Sequence, residues 1–173
     1  MRRTLVTRAG LWRWGPPVFW VGVISIFSTE AFAASETSRY IGPFLRWLFP
    51  AASGTTLDAI HAAIRKGAHV SEFAVLAVLW YRSLTWEREE WRFGAGLAAL
   101  ILSVLCAVLD ETHQMFVPAR TASVMDVALD SVGAFCGLVG RGMWWWARDR
   151  GAPPEGAPMK TSHPRRFTTG PGD

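Results

Sequence analysis

From Phe93 to Leu109 the chain runs 17 residues without a charged side chain. A helix needs roughly 20 predominantly apolar residues to cross a bilayer. Three further apolar blocks of similar length occur, at about 16–34, 67–84 and 124–147, and the one at 93 extends to about 116. Hydrocarbon offers no water to an exposed backbone group, so spanning segments close their hydrogen bonds internally as helices or as closed barrels. Blocks of this length predict helices. Half of the residues are hydrophobic and ten are Trp, and the mean hydropathy is +0.18, which excludes an ordinary soluble domain. The expected fold is all-α, an integral membrane four-helix bundle with a short interfacial helix in its first outer loop.

The segments between the blocks set the domain organisation. Residues 1–15 carry Arg2, Arg3, Arg8 and Arg13 and no acid, and read as a basic cytoplasmic N-terminus. The first block has two readings. A basic start, a short apolar core and Ala31-Phe32-Ala33 also describe a signal peptide with its cleavage site. The retained helix is the preferred reading. Arg39 to Phe49 mixes Ile41, Phe44, Leu45, Trp47 and Leu48 with two arginines, the pattern of a helix lying in the membrane interface, and Pro50 ends it. Thr55 with Asp58 suggests a helix start, and no proline separates that helix from the span at 67. Gly133 and Gly137 form a small-xxx-small pair on which another helix can pack closely, with Leu138 off that face. The four-span membrane domain is thus 16–147. Residues 148–173 turn to Gly, Pro and charge, the composition of a disordered cytoplasmic tail. Cys106 and Cys136 lie inside apolar blocks and read as small packing residues.

Four spans place both termini on one side. That side holds thirteen of the eighteen basic residues, among them Arg82, Arg88, Arg92 and Arg141. The other holds five, Arg39, Arg46, Arg65, Lys66 and Arg120. The positive-inside rule makes the first side cytoplasmic. Trp12, Trp14, Trp86, Trp91 and Trp144 to Trp146 fall at the same span ends, as an aromatic belt does. The formal charge of +4 is therefore topological, and no nucleic-acid partner is expected. The chain reads as a multi-pass protein of the cell membrane, with membrane lipids as neighbours and no assigned oligomeric state.

This topology brings ionisable residues to one level, the outer leaflet. The second span contributes Lys66, His69 and Glu72. The third contributes Asp110, Glu111 and Gln114, and the fourth Asp126 and Asp130. Arg120 lies in the short hairpin between the last two spans. His69 and Glu72 at i,i+3 share a helix face, as do Asp110 and Gln114 and also Asp126 and Asp130 at i,i+4. The glycine face continues that of Asp126 and Asp130, so these two are expected to look into the bundle. Ionisable groups inside spans are costly and mark function. Five acids face two fixed cations, and in a low dielectric they cannot all ionise unaided. Either some hold protons or the cluster binds a cation or a basic group. Taken singly the residues have blander readings. Asp126 suits the first turn of a helix, His69 and His113 suit interfacial hydrogen bonding, and Arg65, Lys66 and Arg120 suit headgroup anchoring. Their coincidence at one level is the stronger signal.

The pattern Arg65-Lys66-x-Ala68-His69-x-x-Glu72-Phe73, followed by Asp110-Glu111-x-His113-Gln114, Pro118-x-Arg120, Ser123-x-x-Asp126, Asp130 and Gly133, resembles the VanZ-like family, named for a protein linked to teicoplanin resistance. The resemblance covers roughly residues 16–140. It implies a small integral membrane protein of the cell envelope, with Lys66, His69, Glu111, Gln114, Arg120 and Asp126 at signature positions and Ser28 as a weaker match. Val70 and Phe73 stand where the family often has Phe and Tyr, and Asp130 where many members have Asn. The expected function is recognition of an anionic lipid or cell-wall-precursor headgroup, linked to glycopeptide antibiotic resistance. Lys66 and Arg120 would hold phosphate or carboxylate. The alternative is a membrane-embedded enzyme acting on a lipid-linked substrate, with His69 or Glu111 as acid or base, or with Glu72, Glu111 and Asp126 on a divalent cation. No nucleophile elbow, HExxH or phosphate loop accompanies it, and no other cofactor is evident.

Overall fold

The computed structural model describes residues 8–88, 90–117 and 122–151. These form five helices and no strand: α1 (Arg8–Phe27), α2 (Ala34–Leu48), α3 (Gly54–Leu84), α4 (Phe93–Gln114) and α5 (Val124–Gly151), with one 3-10 turn, Glu30–Phe32, after α1. The chain is all-α. The most extensive interface joins α3 to α5. α4 packs on both, α1 lies mainly against α3, and α2 rests on α3.

Glycine makes the α3–α5 contact. A Cβ at Gly133 would lie 2.9 Å from the Val70 Cα, and one at Gly137 2.9 Å from the Ala74 Cα. Two backbones meet there, and neither can yield as a flexible side chain would. The rest of the core is also short-limbed where helices cross, with Ala77, Ala99, Ala107 and Ala134 fully buried around Phe73, Leu76 and Tyr81. Leu138 is only 6% exposed, against the expectation that it stands off the packed face. α5 is covered by α3 on one flank and α4 on another, so its buried arc is wider than the glycine stripe alone.

α1 contains Pro16 and Pro17. Each proline removes an N–H, which frees the carbonyl four residues earlier, here those of Trp12 and Arg13. Both find donors on α3. Arg82 Nη1 donates to the Trp12 oxygen at 3.2 Å, and Ser83 Oγ to the Arg13 oxygen at 2.6 Å. Arg13 Nε donates in return to the Ser83 carbonyl at 2.8 Å. The prolines thus dock α1 onto α3. Nearby, Tyr81 stacks on Trp91 with centroids 4.6 Å apart, and its hydroxyl accepts the Arg92 N–H at 3.0 Å, which fixes the entry to α4.

Several boundaries differ from expectation. The first helix starts at Arg8, within the expected basic N-terminus, and breaks before Ser28 instead of running to Ala34. The helix that starts near Thr55 runs on into the span at 67, as the lack of a proline between them allowed: α3 is one helix of 31 residues, about 46 Å long at 1.5 Å per residue. Its cap is Ser53, whose hydroxyl accepts the Thr56 N–H at 3.2 Å; Thr55 is already helical. α5 continues past residue 147 to Gly151, and the remainder of the expected tail lies outside the described residues. Cys136 is exposed on the bundle surface instead of packed. Among the described residues, α4 is the one helix that qualifies as a membrane span by length and apolar composition, and α1 taken with Glu30–Leu48 forms a second, bent candidate. Polar residues such as His69, Glu72 and Arg82 dilute α3, and Asp126, Asp130 and Arg141 dilute α5. The four apolar blocks are four long helices, but they are not equally apolar.

Candidate functional site

α3 and α5 run parallel, because Val70 meets Gly133 and Ala74 meets Gly137. This register sets the start of α5 beside the middle of α3. Lys66 Nζ accordingly reaches Asp126 Oδ1 at 2.7 Å. The pair sits at the rim, with side chains 54% and 37% exposed. Asp126 is thus on the edge of the bundle, not inside it as its i,i+4 partner is. Its place in the first helical turn explains that, since no further turn covers it.

Asp130, one turn deeper, is 4% exposed. Asp110, Asp126, Glu111 and Glu72 all lie within coulombic reach of it, so four elements of the expected cluster converge on this carboxylate. His69 and Glu72, on the inner flank of α3, hold Nδ1 and Oε2 3.5 Å apart. This is the i,i+3 face predicted from spacing.

The buried centre lies where α4 ends and α1 breaks. Ser28, fully buried just beyond α1, donates its hydroxyl to Asp110 Oδ2 at 2.7 Å, and Gln114 Nε2 donates to the same oxygen at 2.8 Å. The break after Phe27 is what points the serine at α4. Asp110 Oδ1 is buried and has no hydrogen-bond partner. A buried acceptor left open is costly, so this oxygen is a position for a donor from elsewhere. Asp110 also lines a cleft of about 200 Å³ between α1 and α4, with Ser25, Cys106 and His113 on its walls. Glu111, also buried, accepts the Ser123 backbone N–H. Ser123 in turn takes the Met125 N–H on its own hydroxyl at 3.2 Å. Glu111 therefore ties the end of α4 to the start of α5.

The structure brings together Lys66, His69, Glu72, Asp110, Glu111, Gln114, Asp126 and Asp130. Arg120 lies outside the described residues. Among the described residues, no three of His, Cys, Asp and Glu come together as a metal-binding group, so the suggested set of Glu72, Glu111 and Asp126 is not assembled as one. Asp126 is held by Lys66 and Glu111 by the hairpin. Two positions carry more than the sequence suggested. Ser28 is a full member of the centre, and His61, buried on α3, meets Thr37 Oγ1 of α2 through Nε2 at 3.2 Å. The serine had a faint signal in the family pattern, and the histidine had only its place on the apolar face of α3.

The family model described as VanZ/LLP1 matches residues 16–145, a stretch that begins in α1 and ends in α5 and contains every residue of this cluster. No curated protein and no solved structure matches the chain.

Proposed function

The chain belongs to the VanZ/LLP1 family, and from that premise we propose that it is a multi-pass membrane protein whose polar cluster recognises the headgroup of an anionic envelope component. α1, α3, α4 and α5 would be the spans, with both termini cytoplasmic. Three things support the membrane assignment: the apolar α4, the thirteen-to-five division of basic residues, and large apolar side chains left exposed on the bundle, such as Phe93, Leu109 and Phe135. α2 fits the interface, with Leu45 buried and Tyr40 81% exposed.

The observation that carries the recognition reading is the buried Ser28–Asp110–Gln114 group. Its open carboxylate oxygen lies at the end of the bundle where Lys66 holds Asp126 at the rim. A ligand with both an anionic group and hydroxyl or amine donors suits this arrangement. Its phosphate or carboxylate would compete with Asp126 for Lys66 and engage Arg120, and its donors would satisfy Asp110. A purely anionic ligand would meet the acids with nothing to offer them. The chain purified with native lipids is expected to carry a co-purifying species identifiable by mass spectrometry. Lys66→Gln, which removes the charge, and Arg120→Lys, whose ammonium does not copy a bidentate guanidinium, are each expected to reduce its occupancy about tenfold. Equal occupancy in both variants and the parent would sink the proposal. Glycopeptide susceptibility of cells expressing the same variants is the matching phenotype.

One observation favours the enzymatic alternative. His69 beside Glu72 has the arrangement of an oriented general base. Conversion of a lipid-linked substrate that His69→Gln abolishes, with ligand occupancy unchanged, would select it over recognition alone.

A further inference from the structure

The other end of the bundle holds a second cavity. It measures about 430 Å³ and lies between α3, α5 and the turn leading to α4. Ten residues of α3 separate Glu72 from Arg82, so the two sites are about 15 Å apart along the helix. Arg82, Arg88 and Arg141 line it, with Trp86 and Trp144 as walls and Glu87 as the one acid among the described residues.

Two of these arginines stack on aromatic rings. The Arg141 guanidinium lies over Trp144 at 4.7 Å from the ring centroid and 5.7 Å from that of Tyr81. Arg82 lies 4.8 Å over Trp86. Stacking orients these two guanidinium groups before any ligand arrives. None of the three is ion-paired among the described residues. Arg82 spends one N–H on the Trp12 carbonyl, and the Glu87 carboxylate accepts the Trp86 indole N–H at 3.1 Å. The decisive atom is Arg141 Nη1, which is buried and has no hydrogen-bond partner. Buried donors are almost always satisfied, and a charged one is the most costly to leave open. A cavity whose described lining has three guanidinium groups, one acid and an open buried N–H calls for an anion. Its volume is within the range of ligand sites and exceeds what a bare phosphate needs.

We propose that this cavity binds a phosphate-bearing anion the size of a phospholipid headgroup, with Arg141 and Arg88 as its principal ligands. Basic pockets between helices at the cytoplasmic side of a membrane hold such headgroups. The lipid as source rests on the membrane reading above, whereas the phosphate chemistry rests on the arginines alone.

Native mass spectrometry of the full chain in detergent tests this, with phosphatidylglycerol, phosphatidylcholine and inorganic phosphate as probes. The parent protein is expected to retain phosphatidylglycerol about tenfold better than phosphatidylcholine, and the Arg88→Gln/Arg141→Gln variant to lose that preference. Lys66→Gln, at the far end, is expected to keep it. Displacement of the lipid by millimolar inorganic phosphate would identify the free anion as the natural occupant, and resistance to displacement would identify the lipid. Equal retention of both lipids by the parent, or unchanged preference in the double variant, overturns the proposal. If the double variant does not fold, Arg88→Gln alone decides by the same criteria. That residue is in an exposed turn outside the helix packing.

Discussion

Asp110 shows how a single acid is made tolerable inside this bundle. Its Oδ2 takes two donors, one from Ser28, 82 residues earlier and just beyond α1, and one from the next turn of its own helix. The second was legible, because i,i+4 spacing dictates it. The first was not, because it depends on α1 ending at Phe27, and the apolar block itself continues to Ala34. Ser28→Ala removes the hydroxyl without adding volume and leaves Asp110 with Gln114 only. The expected cost is about 1–3 kcal/mol of stability, the range for a buried polar group losing a partner. It would be read as a lower unfolding midpoint of the purified protein in detergent. Ser71→Ala is the control, since Ser71 is exposed and bonds only the Gly67 carbonyl of its own helix. A midpoint for Ser28→Ala equal to that of the control would mean that the serine does not support the carboxylate.

Among the elements, α3 and α5 form the frame, and the sequence announced their meeting through two glycines. Spacing alone showed the face, and only the structure names what it meets. Gly137 stands against Ala74 backbone atoms, so even one methyl group forces the helices apart. Gly137→Ala is expected to destabilise by about 1–3 kcal/mol, the usual cost of overpacking, despite alanine's better helix propensity. Gly140→Ala on the same helix has nothing within 4 Å of its new Cβ and should be neutral or slightly stabilising. Comparable unfolding midpoints for the two variants would show that the α3–α5 contact is looser than drawn. The same register carries Lys66 to Asp126, so the Gly137 change should also lower ligand occupancy at the rim. The docking of α1 was illegible by comparison. Two prolines announce a disturbed helix, but the donors that repair it, Arg82 and Ser83, are 70 residues away, and nothing local marks them.

For the whole molecule, the question is how many helices cross the bilayer. Hydropathy favours α4. Block length counts four, and the four blocks fold into α1, α3, α4 and α5, which share one core in which Asp110, Glu111 and Asp130 are buried. A span that hides its acids inside a bundle scores as polar in isolation and still presents an apolar face to lipid. Block length and mean hydropathy therefore count the crossings differently, and the count is a matter for experiment. The two counts make opposite predictions on either side of α4. If α4 alone crosses, Glu90 before it and Asp149 after it lie on opposite faces of the membrane. If four helices cross, both lie on the cytoplasmic face and Gly54 lies outside. Single cysteines at Gly54, Glu90 and Asp149 would be introduced after replacement of Cys106 and Cys136 by serine. They would then be tested with a membrane-impermeant maleimide on intact cells. Labelling is expected at residue 54 before permeabilisation, and at residues 90 and 149 only after it. Labelling of 149 but not 90 in intact cells, or the reverse, would mean that α4 crosses without α5 and would overturn the four-span count. The cluster around Asp110 would then need a water-facing explanation in place of a membrane one.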